Sequence, residues 1–355
     1  FGGYDQLVLS QWWRRATVDS FGKNDKGRPW NIFNHGGFFL FDEEYGGEEK
    51  LARGCRLLRD DPGGFPLLFY LDGFIAGKYN TEVGKKYGEK WAMKDYQGAY
   101  YGYYCDDREQ NWNMCIGYVP WRDYLVDAVV NAVKKFDIDG IRLDSLGSNQ
   151  AFACYNPAHQ HPTTDVHVTG TAELVKKIRE EVKKIKPEPF IIIFEETMND
   201  YALQFQEGFI IDYNFVEGSY PFYPLISLFR FCFPEELSVV YPYLPAGYNY
   251  RAGLFNGLGI MIDFNMPILS TGGPADRRYI EKICPVLKEN ADAFRGKYAY
   301  PLIKTEAEGV YANSFPNNEG NKRIITLYNT NSFSSKGILI NVPHRERFHY
   351  VDLLN

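Results

Sequence analysis

The chain has 355 residues, enough for one (β/α)₈ barrel of about 250 residues with an appendage, or for two or three average domains. Hydrophobic residues at 45% and charged residues at 24% are ordinary globular composition and exclude a disordered or fibrous chain. The net charge of −6, from 39 Lys and Arg against 45 Asp and Glu, leaves no positive excess to neutralise a phosphate backbone, so no nucleic-acid partner is expected.

Short apolar runs at Leu7 to Ser10 and Gly37 to Phe41 predict the first two strands. Pro66 to Leu71 (PLLFYL) predicts a third, buried strand that ends in the turn pair Asp72-Gly73. Aromatic residues, 17% of the chain, then crowd one stretch: Trp91, Tyr96, Tyr100, Tyr101, Tyr103, Tyr104, Trp112 and Tyr118, interleaved with Asp95, Asp106, Asp107 and Asn113. They read either as sugar subsites stacking on ring faces or as a packed lid. Apolar residues at Leu125, Val129, Ala132, Val133 and Phe136 recur at three- and four-residue intervals and predict a helix over Trp121 to Lys135.

Ile138 to Asp144 (IDGIRLD) predicts a fourth strand, and Thr171 to Lys186 a helix stopped by Pro187 and Pro189. Phe190 to Phe194 (FIIIF) is apolar throughout, as expected of a strand covered on both faces in a parallel sheet. Further strands are read at Phe209 to Asp212, Leu228 to Phe233 and Gly259 to Asp263, and a last helix at Asp276 to Phe294. Eight strands alternating with helices predict an α/β fold, a (β/α)₈ TIM barrel over residues 1–298, with an open doubly wound sheet as the alternative. Val310 to Phe315, Arg323 to Tyr328 and Gly337 to Val342 alternate with polar turns and predict a small C-terminal antiparallel β domain over 299–355.

No apolar run approaches the roughly 18 residues of a membrane span. The chain opens at Phe1 without an initiator Met or a charged-then-apolar leader, which fits removal of a signal peptide or an N-terminal domain and slightly favours a secreted or periplasmic setting. Cys55, Cys105, Cys115, Cys154, Cys232 and Cys284 contain no C-x-x-C pair and indicate neither a zinc ribbon nor a disulfide scaffold. They read as buried small hydrophobes, with Cys105 and Cys115, which flank one loop, as the pair able to join. Gly73 to Lys78 is one residue short of a P-loop, and no G-x-S-x-G or H-E-x-x-H is present.

Side chains alternate along a strand, so Gly140, Arg142 and Asp144 share one face. A cation beside Asp144 favours the ionised carboxylate, as a nucleophilic or charge-stabilising aspartate requires, although structural ion pairs have the same pattern. The next strand delivers Glu195 and Glu196 to its own C-terminal end, and parallel strands bring those ends to one edge. Glycoside hydrolysis needs such a pair: one ionised carboxylate at the anomeric carbon, and one carboxyl kept protonated by desolvation to donate to the leaving oxygen. His159, His161 and His167 lie with Asp165 in the loop after Asp144 and read as a metal site, as hydrogen-bonding partners of sugar hydroxyls, or as surface histidines. The second reading is adopted for His159 and His161; no metal is assigned and no cofactor is expected. Asp72 is placed on the same rim as a substrate contact, or as a turn cap before Gly73.

The segment GIRLD (Gly140 to Asp144), followed one strand later by FEE, resembles the fourth and fifth strand motifs of α-amylase-type glycoside hydrolases, and α-galactosidase-like barrels also carry a strand-four aspartate. Asn113-Met114-Cys115, Trp121-Arg122, DGIRLDS and the E-x-x-x-D of Glu196 to Asp200 are similar to an uncharacterised family of glycosidase-like barrels, over about residues 60–220. The resemblance implies a retaining glycoside hydrolase acting on α-linked oligosaccharides or polysaccharides, with Asp144 as nucleophile, Arg142 as its supporting cation, Glu196 as general acid/base and Glu195 in reserve. Substrate contacts are expected from Asp72, Trp112, Tyr118, His159, His161, Asp200, Asp212 and Asp263; Asp212 also matches the acid position of α-galactosidase-like enzymes. The His-Asp pair that α-amylases carry after strand seven has no counterpart after Leu228 to Phe233, as an inactive carbohydrate-binding or assembly protein on the same barrel would predict.

Overall fold

The computed structural model describes residues 7–9, 46–61, 64–78, 81–101, 111–146, 152–164, 166–187, 189–194, 200–211, 225–234, 237–240, 246–260, 274–344 and 346–354. The chain divides into two compact units, Asp5–Glu207 and Gly208–Asn355.

In the first unit, strands β1 (Leu7–Leu9), β2 (Leu67–Asp72), β5 (Gly140–Asp144) and β6 (Ile191–Phe194) lie side by side in that order, all parallel. The expected strand at Gly37 to Phe41 lies outside the described residues, and β1 pairs directly with β2. Every residue of β2 is buried, which accounts for a strand with no polar alternation. A short antiparallel pair, β3 (Ile75–Gly77) with β4 (Asn111–Asn113), intervenes between β2 and β5 and is accompanied by helix α2 (Glu82–Trp91). Thr81 caps α2, accepting a hydrogen bond from the Gly84 amide at 3.0 Å.

Helices α1 (Gly47–Asp60), α3 (Val119–Phe136), α4 (Val166–Lys183) and α5 (Asp200–Leu203) complete this unit. The predicted stripe of α3 is its buried side, with Trp121 at its start and Phe136 against Phe69 of β2, ring centroids 5.3 Å apart. Each such side chain contributes roughly 1.5–3 kcal/mol by leaving water. Asp137 ends α3 in the left-handed region (φ 51°), held by Arg59, while Lys186 bonds the carbonyls of Asp137 and Ile138 and the Asp139 carboxylate. The other Asp139 oxygen accepts from the Leu67 amide at 3.0 Å, so this aspartate clamps the starts of β2 and β5. Gly140 permits the next contact: a Cβ there would lie 2.2 Å from the carbonyl oxygen of Ile191.

In the second unit, β7 (Gly208–Ile211), β8 (Leu237–Val240) and β9 (Gly259–Ile260) are parallel. Leu228 to Phe233, expected as a strand, is instead the short helix α6 (Leu228–Cys232). Helical winding brings Phe229 and Phe233 together at 5.8 Å, with Phe229 also edge-on to Phe209. The expected last helix is two, α8 (Pro274–Glu289) and α9 (Ala291–Phe294), broken at Asn290. Helix α7 (Ala246–Asn256) precedes them.

A separate antiparallel sheet joins β10 (Tyr300–Ile303), β11 (Val310–Pro316) and β12 (Arg323–Asn329). Its third strand is Tyr300–Ile303 rather than Gly337 to Val342: that run forms no strand and leaves Ile338 69% exposed. Asn313 and Thr326 both donate to the Phe255 carbonyl and tie this sheet to α7, over a core of Leu254, Ile283, Phe294 and Phe315. No helix among the described residues is long and apolar enough to cross a membrane.

Candidate functional site

The C-terminal ends of β2 and β5 carry one continuous polar cluster. The two strands are in register, Tyr70 beside Arg142 and Asp72 beside Asp144, so all four side chains start from one face. The Tyr70 hydroxyl donates to Asp144 Oδ2, and the Ser145 amide donates to Oδ1 at 2.6 Å. The Arg142 guanidinium lies over the Tyr70 ring, 5.3 Å from its centroid, and is buried. Tyr70 is thus the link between the expected nucleophile and its expected supporting cation. Asp144 itself is half-buried, the one member of its strand not enclosed.

Ser145, in the left-handed region at φ 60°, turns the chain sharply after Asp144. Its hydroxyl donates to Asp72 Oδ2 at 2.8 Å, and Asp72 Oδ1 accepts from the amides of Phe74 and Ile75, both at 2.8 Å. Asp72 is fully enclosed and has the geometry of a turn cap, which leaves its expected contact with substrate without an exposed oxygen. Its position steadies Ser145, and through Ser145 the aspartate beyond.

In the same unit, the segment after β4 and the loop after β5 meet at Cys115, Cys154, His159 and His161, whose ligand atoms lie within 4.8 Å of one another. Cys115, expected to pair with Cys105 or to serve as a small hydrophobe, is a free thiol here; Cys105 lies outside the described residues. Cys115 Sγ is 3.1 Å from His161 Nε2, and Cys154 Sγ is 3.4 Å from His159 Nδ1. The hydrogen bond with Cys115, and the contact with His159, hold the Cys154 thiol well below the ordinary range against the opposing effect of burial. The same thiol–thiol bond, with burial, pushes Cys115 well above it.

The remaining expected site residues fall unevenly. His159 is buried and stacks on Tyr118 at 4.3 Å; with its two nitrogens facing Cys154 and the Lys90 carbonyl, it is not presented to a sugar. His161 is directed at Cys115 in the same way. His167 is buried against the Leu146 carbonyl at 2.9 Å. Trp112 packs on α2, its Nε1 donating to the Gly84 carbonyl and its ring covered by Lys78 at 4.3 Å. Asp200 begins α5, its side chain outside the description, and Glu195, Glu196, Asp212, Asp263 and Asp165 lie outside the described residues.

Tyr70, Ser145, Cys115 and Cys154 were not singled out as site residues from sequence. The first two carry a readable signal: PLLFYLDG and GIRLDS end alike, and setting Leu-Asp against Leu-Asp places Tyr70 opposite Arg142.

A family model described as a domain of unknown function (DUF6259) matches residues 47–221. No curated protein matches the chain. Among solved structures, the chain is similar to the noncanonic maltogenic α-amylase AmyB from Thermotoga neapolitana, at 16% identity and TM-score 0.59, covering 92% of this chain and 78% of that one. It is also similar to the GH36 α-galactosidase AgaA from Geobacillus stearothermophilus, at 12% identity and TM-score 0.59, covering 94% and 44%. A third likeness is to the α-N-acetylgalactosaminidase NagBb from Bifidobacterium bifidum, at 13% identity and TM-score 0.61, covering 90% and 49%. The chain spans under half the length of the latter two. A parallel sheet whose strand ends carry the polar cluster, together with a separate antiparallel sheet, is therefore a glycosidase-like fold.

Proposed function

We propose that the chain closes as a (β/α)₈ barrel and acts as a retaining glycoside hydrolase on α-linked oligosaccharides or polysaccharides. The observation that carries this reading is Asp144: a half-buried carboxylate at the C-terminal end of a parallel strand, fixed through both oxygens by Tyr70 and Ser145. β6 runs parallel to β5 with Phe194 beside Leu143, and Glu195 and Glu196 follow Phe194 in sequence.

In the proposed cycle an Asp144 oxygen attacks the anomeric carbon as the bond to the leaving oxygen breaks, and Glu196 gives that oxygen its proton. Glu196 then takes a proton from water, whose oxygen displaces Asp144 from the anomeric carbon and restores both carboxyl groups. Tyr70 and Ser145 hold the attacking group in one orientation, so little reorganisation is left for the reaction. Arg142 supplies positive charge beside it through the Tyr70 ring. Asp200, Asp212, Asp263 and Tyr118 are proposed as further substrate contacts. Asp212 is the alternative acid.

Purified Asp144→Asn protein tests the assignment against a panel of aryl α-glycosides. Turnover is expected to fall to background with an unchanged circular dichroism spectrum. Glu196→Gln is expected to lower hydrolysis of poor leaving groups by about 10²–10⁴-fold. Full activity in Asp144→Asn would remove the nucleophile assignment.

A further inference from the structure

We propose that Cys115, Cys154, His159 and His161 bind one zinc ion in a closed tetrahedral site that pins the loop after β5 to the segment following β4. The donor set is two sulfurs and two imidazole nitrogens with no oxygen, the combination that selects zinc among common cellular divalent cations. Zn–S bonds of about 2.3 Å and Zn–N bonds of about 2.0–2.1 Å give a tetrahedron with edges of about 3.3–3.8 Å. The four donor atoms already lie within 4.8 Å of one another, two of the sulfur–nitrogen edges being 3.1 and 3.4 Å. The rest of the fit needs side-chain movements of about an ångström.

The outer hydrogen bonds are those a zinc-bound histidine requires. His161 Nδ1 sits 2.8 Å from the Pro162 carbonyl, which can only accept, so Nδ1 carries the proton and Nε2 faces Cys115 with its lone pair. His159 Nε2 sits 2.9 Å from the Lys90 carbonyl and 3.1 Å from the Asn156 amide nitrogen. Zinc on Nδ1 requires the proton on Nε2, where the Lys90 carbonyl accepts it, and Nδ1 then faces Cys154 with its lone pair. Both rings are held: His159 against Tyr118, and His161 against Gly117, where a Cβ would come within 3.1 Å of the ring and 1.7 Å of Val166. Cys154 is anchored by its amide to the Thr163 carbonyl, and Cys115 by its amide to Trp91.

Both sulfurs bind as thiolates, any thiol proton passing to solvent, and four coordinate bonds form. Two thiolates balance the 2+ charge, so the buried site carries no net charge. Four protein ligands fill the coordination sphere, which makes the ion a structural staple rather than a Lewis acid for the reaction. The site stands independently of the glycosidase reading.

The full chain, stripped with a chelator under reducing conditions and titrated with Co²⁺, decides the proposal. Expected are the visible bands of tetrahedral cobalt and a thiolate-to-cobalt charge-transfer band, saturating at one equivalent and abolished by Zn²⁺. As-purified protein is expected to hold one zinc per chain by elemental analysis, with Cys115→Ser and Cys154→Ser losing it and Cys232→Ser retaining it. Wild-type protein that gives no tetrahedral cobalt spectrum overturns the site whatever the variants do. So does an as-purified chain without zinc whose intact mass shows a Cys115–Cys154 disulfide.

Discussion

Tyr70 donates its only hydroxyl proton to Asp144 and offers its ring face to Arg142, so removing that oxygen separates orientation of the proposed nucleophile from the packing around it. A hydrogen bond to a charged group is worth about 1.5–3 kcal/mol. Tyr70→Phe, which keeps the ring under Arg142, is therefore expected to lower kcat by roughly ten- to a hundredfold with little change in KM, read from initial rates on the best aryl glycoside. An unchanged kcat would make Tyr70 a packing residue only. Cysteine reactivity is set by environment in the same way. Burial, against the opposing charge of Arg59, pushes the Cys55 thiol up to about 11, and only Cys232 among the described cysteines is exposed. At pH 8 iodoacetamide is expected to alkylate Cys232 in the native chain and to reach Cys55 only after unfolding, as read by peptide mass spectrometry; early labelling of Cys55 would contradict its burial.

At the scale of elements, β5 and β6 meet over Gly140, whose missing side chain lets the Ile191 carbonyl approach. Gly140→Ala must push a backbone oxygen away, which a sheet cannot absorb cheaply. A loss of about 2 kcal/mol or more is expected, seen as a thermal midpoint lowered by roughly 4–8 °C. The strand and helix pattern around this contact was readable because it repeats: the stripe of α3, Leu125 to Phe136, spans about three turns, and β2 and β6 are apolar runs closed by turn or proline signals. Leu228 to Cys232 was not, because five residues, four of them apolar or aromatic, contain too little period to separate strand from helix, and the Phe229–Phe233 contacts decide it. Gly337 to Val342 reads as a strand by composition and has no partner strand among the described residues. The candidate site divides likewise. Asp144 ends a strand and could be placed from its own segment, whereas Tyr70 needed the register between two strands. Cys115 and Cys154 needed the β3–β4 excursion that folds one loop against another.

At the scale of the whole molecule, the proposed chemistry depends on which strand ends are neighbours. Adjacent parallel strands lie about 4.7–4.9 Å apart, so carboxyl groups leaving the ends of neighbouring strands begin close to the roughly 5–5.5 Å separation of retaining enzymes. Inversion needs about 6.5–9.5 Å, room for a water between the groups, which a pair on next-neighbour strands lacks. β5, which ends in Asp144, is paired residue for residue with β6, after which Glu195 and Glu196 follow. Proton NMR of the first product formed from an α-glycoside is therefore expected to show the α-anomer before mutarotation. A β-anomer would require a more distant acid and exclude the nucleophilic role of Asp144 with Glu196. Retention that survives Glu196→Gln but is lost in Asp212→Asn would keep Asp144 as nucleophile and move the acid to the position α-galactosidase-like enzymes use, separating the choice of acid from the choice of fold.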